Sequence, residues 1–72
     1  MGSTLARELR DAQDYLRRAH ALFIDAMAEP DHGTAEILFR IGREFLSAAE
    51  EIESAVAAQI RAAANDGVPS RH

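Results

Sequence analysis

The sequence contains no cysteine, no tryptophan and no lysine, and it has only two prolines and four glycines. The absence of cysteine excludes a disulfide scaffold, a cysteine-ligated zinc site and a thiol nucleophile. Eight arginines against twelve acidic residues give a net charge of −4. Because binders of nucleic acid or of anionic membranes need a positive surface, we expect neither as a partner. Hydrophobic residues make up 47% of the chain, which is too many for an intrinsically disordered protein.

Long apolar runs are also missing, so no segment is predicted to cross a bilayer. The first residues lack the basic stretch and apolar block of a secretory signal, and we therefore expect a cytoplasmic protein. Residues 1–3 are interpreted as a disordered start or a vector-derived scar. The exclusive use of arginine as the cation, together with fifteen alanines, indicates a GC-rich bacterial genome.

Two clusters of helix-breaking residues divide the chain into two helical segments. Pro30 marks a turn at 29–33, because proline lacks a backbone donor and disfavours the helical conformation in the residue before it. Asp31 or Thr34 can cap the helix that follows. A second cluster at 65–69 ends that helix. The sequence therefore predicts a helical hairpin over 4–65, with helix 1 over about 4–28, helix 2 over about 34–64 and a flexible tail at 66–72.

Both predicted helices carry apolar residues at the alternating three- and four-residue spacing of a heptad repeat. Helix 1 has one such seam, and helix 2 has two seams shifted by one residue. An apolar face of that width exceeds what one neighbouring helix covers. The seam of helix 1 is Leu5, Leu9, Ala12, Leu16, Ala19, Phe23 and Ala26; the first seam of helix 2 is Leu38, Ile41, Phe45, Ala48, Ile52, Ala55, Gln59 and Ala62, and the second is Phe39, Gly42, Leu46, Ala49, Glu53, Val56, Ile60 and Ala63.

A chain of 72 residues is too short to build a large hydrophobic core by itself. We expect helix 1 to cover the first seam of helix 2 and to leave the second seam for a partner. The longer helix 2 is also expected to project past the start of helix 1 around residues 59–64. A second copy related by a two-fold axis would bury both features. The sequence thus predicts an all-α antiparallel two-helix hairpin that homodimerises into a four-helix bundle.

The residues predicted to bind the partner belong to the second seam, with one neighbouring position in helix 1. A glycine inside a helix costs about 1 kcal/mol relative to alanine, so Gly42 favours the close approach of another backbone or ring. Glu53 is the charged residue of this seam, and we expect it to reach Arg10 or the rim of the bundle. The predicted partner-binding set is Ile24, Phe39, Gly42, Leu46, Glu53, Val56 and Ile60.

Residue types that carry catalysis form no functional arrangement in this sequence. The serines lie outside a Gly-x-Ser-x-Gly motif and have no histidine at helical spacing. His20, His32 and His72 are far apart, and the glycines do not form a phosphate-binding loop. We therefore expect no catalytic, cofactor-binding or metal-binding residue and no enzymatic activity.

Two alternative functions remain open. Asp11 and Asp14 on helix 1 lie at a similar height to Glu50 and Glu53 on helix 2, which would suit a phosphohydrolase that uses Mg²⁺ or Mn²⁺. The heptad phase, however, places the first three of these carboxylates on outer positions. The second alternative is a small secreted helical hairpin, although the Trp-x-Gly turn of that class is absent. The prediction that we carry forward is a small non-catalytic interaction module with an adaptor, regulatory or docking role. Its expected partner is a second copy of the chain or a helical segment of another protein.

Overall fold

The computed structural model describes residues 3–67, with the side chains of 4–65. It contains two helices, α1 over Ser3–Ala28 and α2 over His32–Gly67, which pack against each other in antiparallel orientation. The predicted all-α hairpin is confirmed, and α2 begins two residues earlier than predicted. The expectations for residues 1, 2 and 68–72 lie outside the described residues.

Asp31 determines where α2 begins. Its Oδ2 atom accepts hydrogen bonds from the Thr34 backbone N–H at 2.8 Å and from the Thr34 hydroxyl at 2.7 Å. The Asp31 carbonyl accepts the first helical hydrogen bond, from the Ala35 N–H at 2.9 Å. Asp31, rather than Thr34, is therefore the N-cap of α2. Both donors stabilise the charged form of the Asp31 carboxyl and so lower its pKa below its ordinary value. The hydroxyl of Thr34 has the larger effect and its backbone N–H the smaller one.

Small residues form the centre of the contact between the helices. They repeat every seven positions on each helix, and we call these two sets the central rows. Because alanine and glycine have little or no side chain, they allow the two backbones to approach closely. The buried residues are Ala12, Ala19 and Ala26 in the central row of α1, and Gly42, Ala49 and Val56 in that of α2.

Larger side chains flank the central rows on two opposite sides of the hairpin. On one side the rings of Phe23 and Phe39 lie 6.0 Å apart between centroids, and we call this the Phe23 side. On the other the rings of Tyr15 and Phe45 lie 5.8 Å apart, and we call this the Tyr15 side. Residues seven positions apart share a side. The half-buried residues are Leu16, Phe23, Phe39 and Leu46 on the Phe23 side and Tyr15, Leu22, Leu38, Phe45 and Ile52 on the Tyr15 side.

The prediction that helix 1 covers the first seam of helix 2 and leaves the second is wrong, because α1 lies over both seams. The contact instead centres on the row of Gly42, Ala49 and Val56, which belongs to the second seam. The physical reason is that this central row of α2 contains small residues and faces the alanines in the central row of α1, so the two backbones can approach closely. Gly42 and Val56, both predicted to bind a partner, are therefore buried within the chain. Ile41, predicted to be covered by helix 1, is 37% exposed.

Candidate interaction surface

Within the described residues no large side chain is fully buried. The buried positions are occupied by alanine, one glycine and one valine, whereas the leucines, isoleucines and phenylalanines are half-buried or exposed. Full burial of a large apolar side chain contributes about 1.5–3 kcal/mol, and the hairpin alone does not obtain that contribution. Much of the apolar surface of this chain is therefore available for a contact outside the hairpin.

The Tyr15 side carries an apolar strip along the edge of α2. Its positions follow one another every seven residues, and we call them the outer row of α2: Ile41, Ala48, Ala55 and Ala62. Tyr15, Ile41, Phe45 and Ala48, with Glu44 at the border, line a shallow groove of about 260 Å³. The nearby Ile37 is 50% exposed. No residue of the outer row is charged, so nothing in the row opposes its burial against another apolar surface.

On the Phe23 side the structure separates the remaining predicted partner-binding residues. Phe39 and Leu46 are half-buried beside α1, and Glu53 is exposed at the rim. Ile60 is 52% exposed on the part of α2 that extends beyond α1. Ile24 is 48% exposed. It shares the heptad position of the outward-facing arginines of α1 and lies away from Phe39, Leu46, Glu53 and Ile60. Four of these residues thus share one heptad row of α2 on the Phe23 side but differ in burial, and Ile24 lies on α1 outside that row.

Phe23 occupies the space that a side chain at position 42 would need. A Cβ atom built on Gly42 would lie 2.7 Å from Cε1 and 2.9 Å from Cδ1 of Phe23. These distances are shorter than van der Waals contact. The predicted close approach at Gly42 is therefore confirmed, and the approaching group is a ring of the same chain.

The C-terminal part of α2 projects past the start of α1. Val56 is the last buried residue, and every described side chain from 57 to 65 is exposed. This segment is rich in alanine and contains Ile60, so its exposed surface is largely apolar. The predicted projection of helix 2 is confirmed, and none of the side chains described over 4–65 covers it.

Most charged groups are exposed and form few ion pairs, whereas Glu8, Asp14 and Glu29 are half-buried and Oε1 of Glu8 is buried without a hydrogen-bond partner. In the part of the chain that the structure describes, Arg17 pairs with Asp14 at 3.3 Å and His32 lies 3.8 Å from Glu36. The expected contact between Glu53 and Arg10 is not formed. The guanidinium of Arg18 lies 6.0 Å from the centre of the Phe45 ring, at the edge of the Tyr15 side. These exposed pairs each contribute little to stability.

The four carboxylates of the phosphohydrolase alternative do not converge. Among residues 4–65, no group of three or more histidine, aspartate or glutamate side chains is placed to hold a metal ion. Asp11 lies toward the Tyr15 side, whereas Glu50 and Glu53 lie toward the Phe23 side. The heptad phase already indicated this separation.

Neither helix, over the described residues, combines the length and apolar character that a membrane crossing needs. No protein-family model, curated protein or solved structure matches the chain.

Sequence reasoning missed the outer row of α2 as an exposed surface. The available signal was the first seam of helix 2, which contains no charge, whereas the second seam contains Glu53.

Proposed function

We propose that this chain is a small non-catalytic interaction module that works as a homodimer, in which two hairpins form a four-helix bundle. The observation that carries the proposal is the composition of the buried set, in which no large side chain of the described residues is fully buried. An exposed apolar helix surface is one that a docking, adaptor or regulatory module can use to bind a partner.

The shape of the hairpin supports the same proposal. Its Cα atoms extend over 62 × 24 × 12 Å, so the chain forms one layer of helices. Stable domains contain at least two packed layers around a common core. A second hairpin laid against the first supplies the missing layer and covers half-buried side chains such as Phe45 and Ile52.

We commit to a second copy as the occupant, because the exposed apolar surface lies on the same helix as the projecting end. In a two-fold dimer the same patch is used by both chains, so a surface that includes a projecting end also provides the segment that covers it. A different protein would have to supply both complements separately.

Thermal unfolding at several protein concentrations tests this proposal. A homodimer that dissociates on unfolding melts at a higher temperature as concentration rises, because association stabilises the folded chains by mass action. We expect the midpoint to rise steadily over a hundredfold range of concentration. A midpoint independent of concentration, with a cooperative transition, would contradict the homodimer and would favour a helical segment of another protein as the partner.

A further inference from the structure

We infer that the two copies associate through the outer row of α2, with the two α2 helices antiparallel and Ala48 opposite the partner's Ala55. This inference rests on the proposed self-association and adds to it a face and a register.

Charge distinguishes the outer row of α2 from the neighbouring rows of the hairpin. Residues bordering the Tyr15 side on α1 include Asp11, Arg18 and Asp25, and those bordering the Phe23 side on α2 include Glu36, Arg43 and Glu50. Burying either row against a copy of itself would desolvate several charges without assured partners. The outer row of α2 has no charge from Ile41 to Ala62, and its three alanines allow close approach of a second helix.

The register follows from matching large residues with small ones. In an antiparallel pair centred between Ala48 and Ala55, these two alanines face each other and Ile41 faces the partner's Ala62. The same register lays the projecting segment 57–65 along residues 38–46 of the partner, with the partner's exposed Ile37 at the end of this stretch. One contact therefore covers the outer row, the exposed Ile37 and Ile41, and the outer-row side of the projecting end. Ile60, on the Phe23 side, stays outside this contact.

Shifting the register by one heptad in either direction gives a poorer match. If Ala48 faced the partner's Ala48, Glu44 would lie opposite the partner's Glu51 on both halves of the dimer. If Ala55 faced the partner's Ala55, Ile41 would lie opposite position 69, past Gly67, the last residue of the partner's α2 that the structure describes. In the inferred register Glu44 lies near the partner's Arg61, and only Glu51 meets its own copy.

Single-cysteine variants test this register cleanly, because the chain has no cysteine of its own. We expect an equimolar mixture of Ala48→Cys and Ala55→Cys chains, unfolded and refolded together and then oxidised, to form a disulfide-linked dimer. Either variant alone should stay unlinked, because its two cysteines would lie a full heptad apart along the helices, too far for a disulfide. A mixture of Ser47→Cys and Ser54→Cys is the matched control. These positions have similar heights, but each lies one residue before an outer-row alanine and so about 100° around α2 from the outer row. The control should therefore remain unlinked.

Sedimentation of each reduced variant separates failure of the register from failure of the dimer. A disulfide-linked dimer in a sample that contains only Ala48→Cys chains, or only Ala55→Cys chains, would overturn the register. A linked dimer in the mixture of Ser47→Cys and Ser54→Cys chains would overturn the face. Dimers with no link in any sample would also overturn the face. Reduced variants and parent chain that all sediment as monomers would overturn the proposed self-association itself.

Discussion

Gly42 and Phe23 form a size-matched pair at the centre of the hairpin. The glycine leaves the space, and the ring of Phe23 fills it and also packs against the ring of Phe39. The presence of a helix-weakening glycine is thus explained by packing rather than by flexibility.

Gly42→Ala is therefore expected to destabilise the protein, although alanine favours the helix by about 1 kcal/mol. Overpacking a filled site costs about 1–3 kcal/mol, so we expect a net loss of about 1 kcal/mol in the free energy of unfolding. Urea denaturation of the two proteins at equal concentration measures this difference. Introducing the same change into a Phe23→Leu background provides the control, because the smaller side chain should reduce the penalty. A stabilised Gly42→Ala protein with an intact Phe23 would contradict this account.

Asp31 contributes a pH-dependent part of the stability through its cap on α2. The hydrogen bonds from Thr34 lower the pKa of this carboxyl below 3.8. A group with a lowered folded-state pKa stabilises the fold above its unfolded pKa and loses that contribution as the pH falls through the folded pKa. We expect Asp31→Ala to lower the melting temperature at pH 7, and this difference to shrink as the pH falls from 4 toward 2.

Asp31→Asn is the matched variant for that experiment, since asparagine also caps helices but does not titrate. Its melting temperature should stay close to that of the parent at pH 7. If Asp31→Ala melted at the same temperature as the parent at neutral pH, Asp31 would not stabilise α2 as the structure indicates.

At the scale of the elements, the sequence predicts much of what the structure contains. The break at Pro30, the hairpin and the projection of helix 2 all follow from local signals. Heptad spacing alone could not decide which seam faces α1, because both seams satisfy it. The decision depends on how closely the backbones approach, and the alanine row of α1 selects the row that contains Gly42. Leu9, predicted to lie in the seam of helix 1, shares the heptad row of Leu16 and Phe23 but is 41% exposed.

The outer row of α2 gives a prediction for that helix. We expect Ile41→Asp to raise the dissociation constant of the dimer about tenfold or more, because a buried carboxylate without a partner costs at least about 1.4 kcal/mol. Ile24→Asp is the matched control, since it places the same charge at a comparably exposed isoleucine on the outward face of α1. Dilution experiments followed by light scattering measure both constants. Equal effects of the two substitutions would show that the outer row has no special role.

At the scale of the whole molecule, chain length and packing lead to the same conclusion. A single layer of two helices buries small residues at its centre and leaves the large ones partly exposed on both sides. Length alone indicated that the chain needs additional burial, and the structure shows which side chains lack it. The sequence could not identify the face, because that depends on which rows the hairpin itself uses.

Sedimentation equilibrium of the parent chain from low to high micromolar concentration tests the central claim most directly. The account predicts a species of twice the chain mass of 7.9 kDa, which dissociates on dilution together with loss of helical structure. A chain that remains fully helical and sediments at 7.9 kDa over the whole range would contradict it.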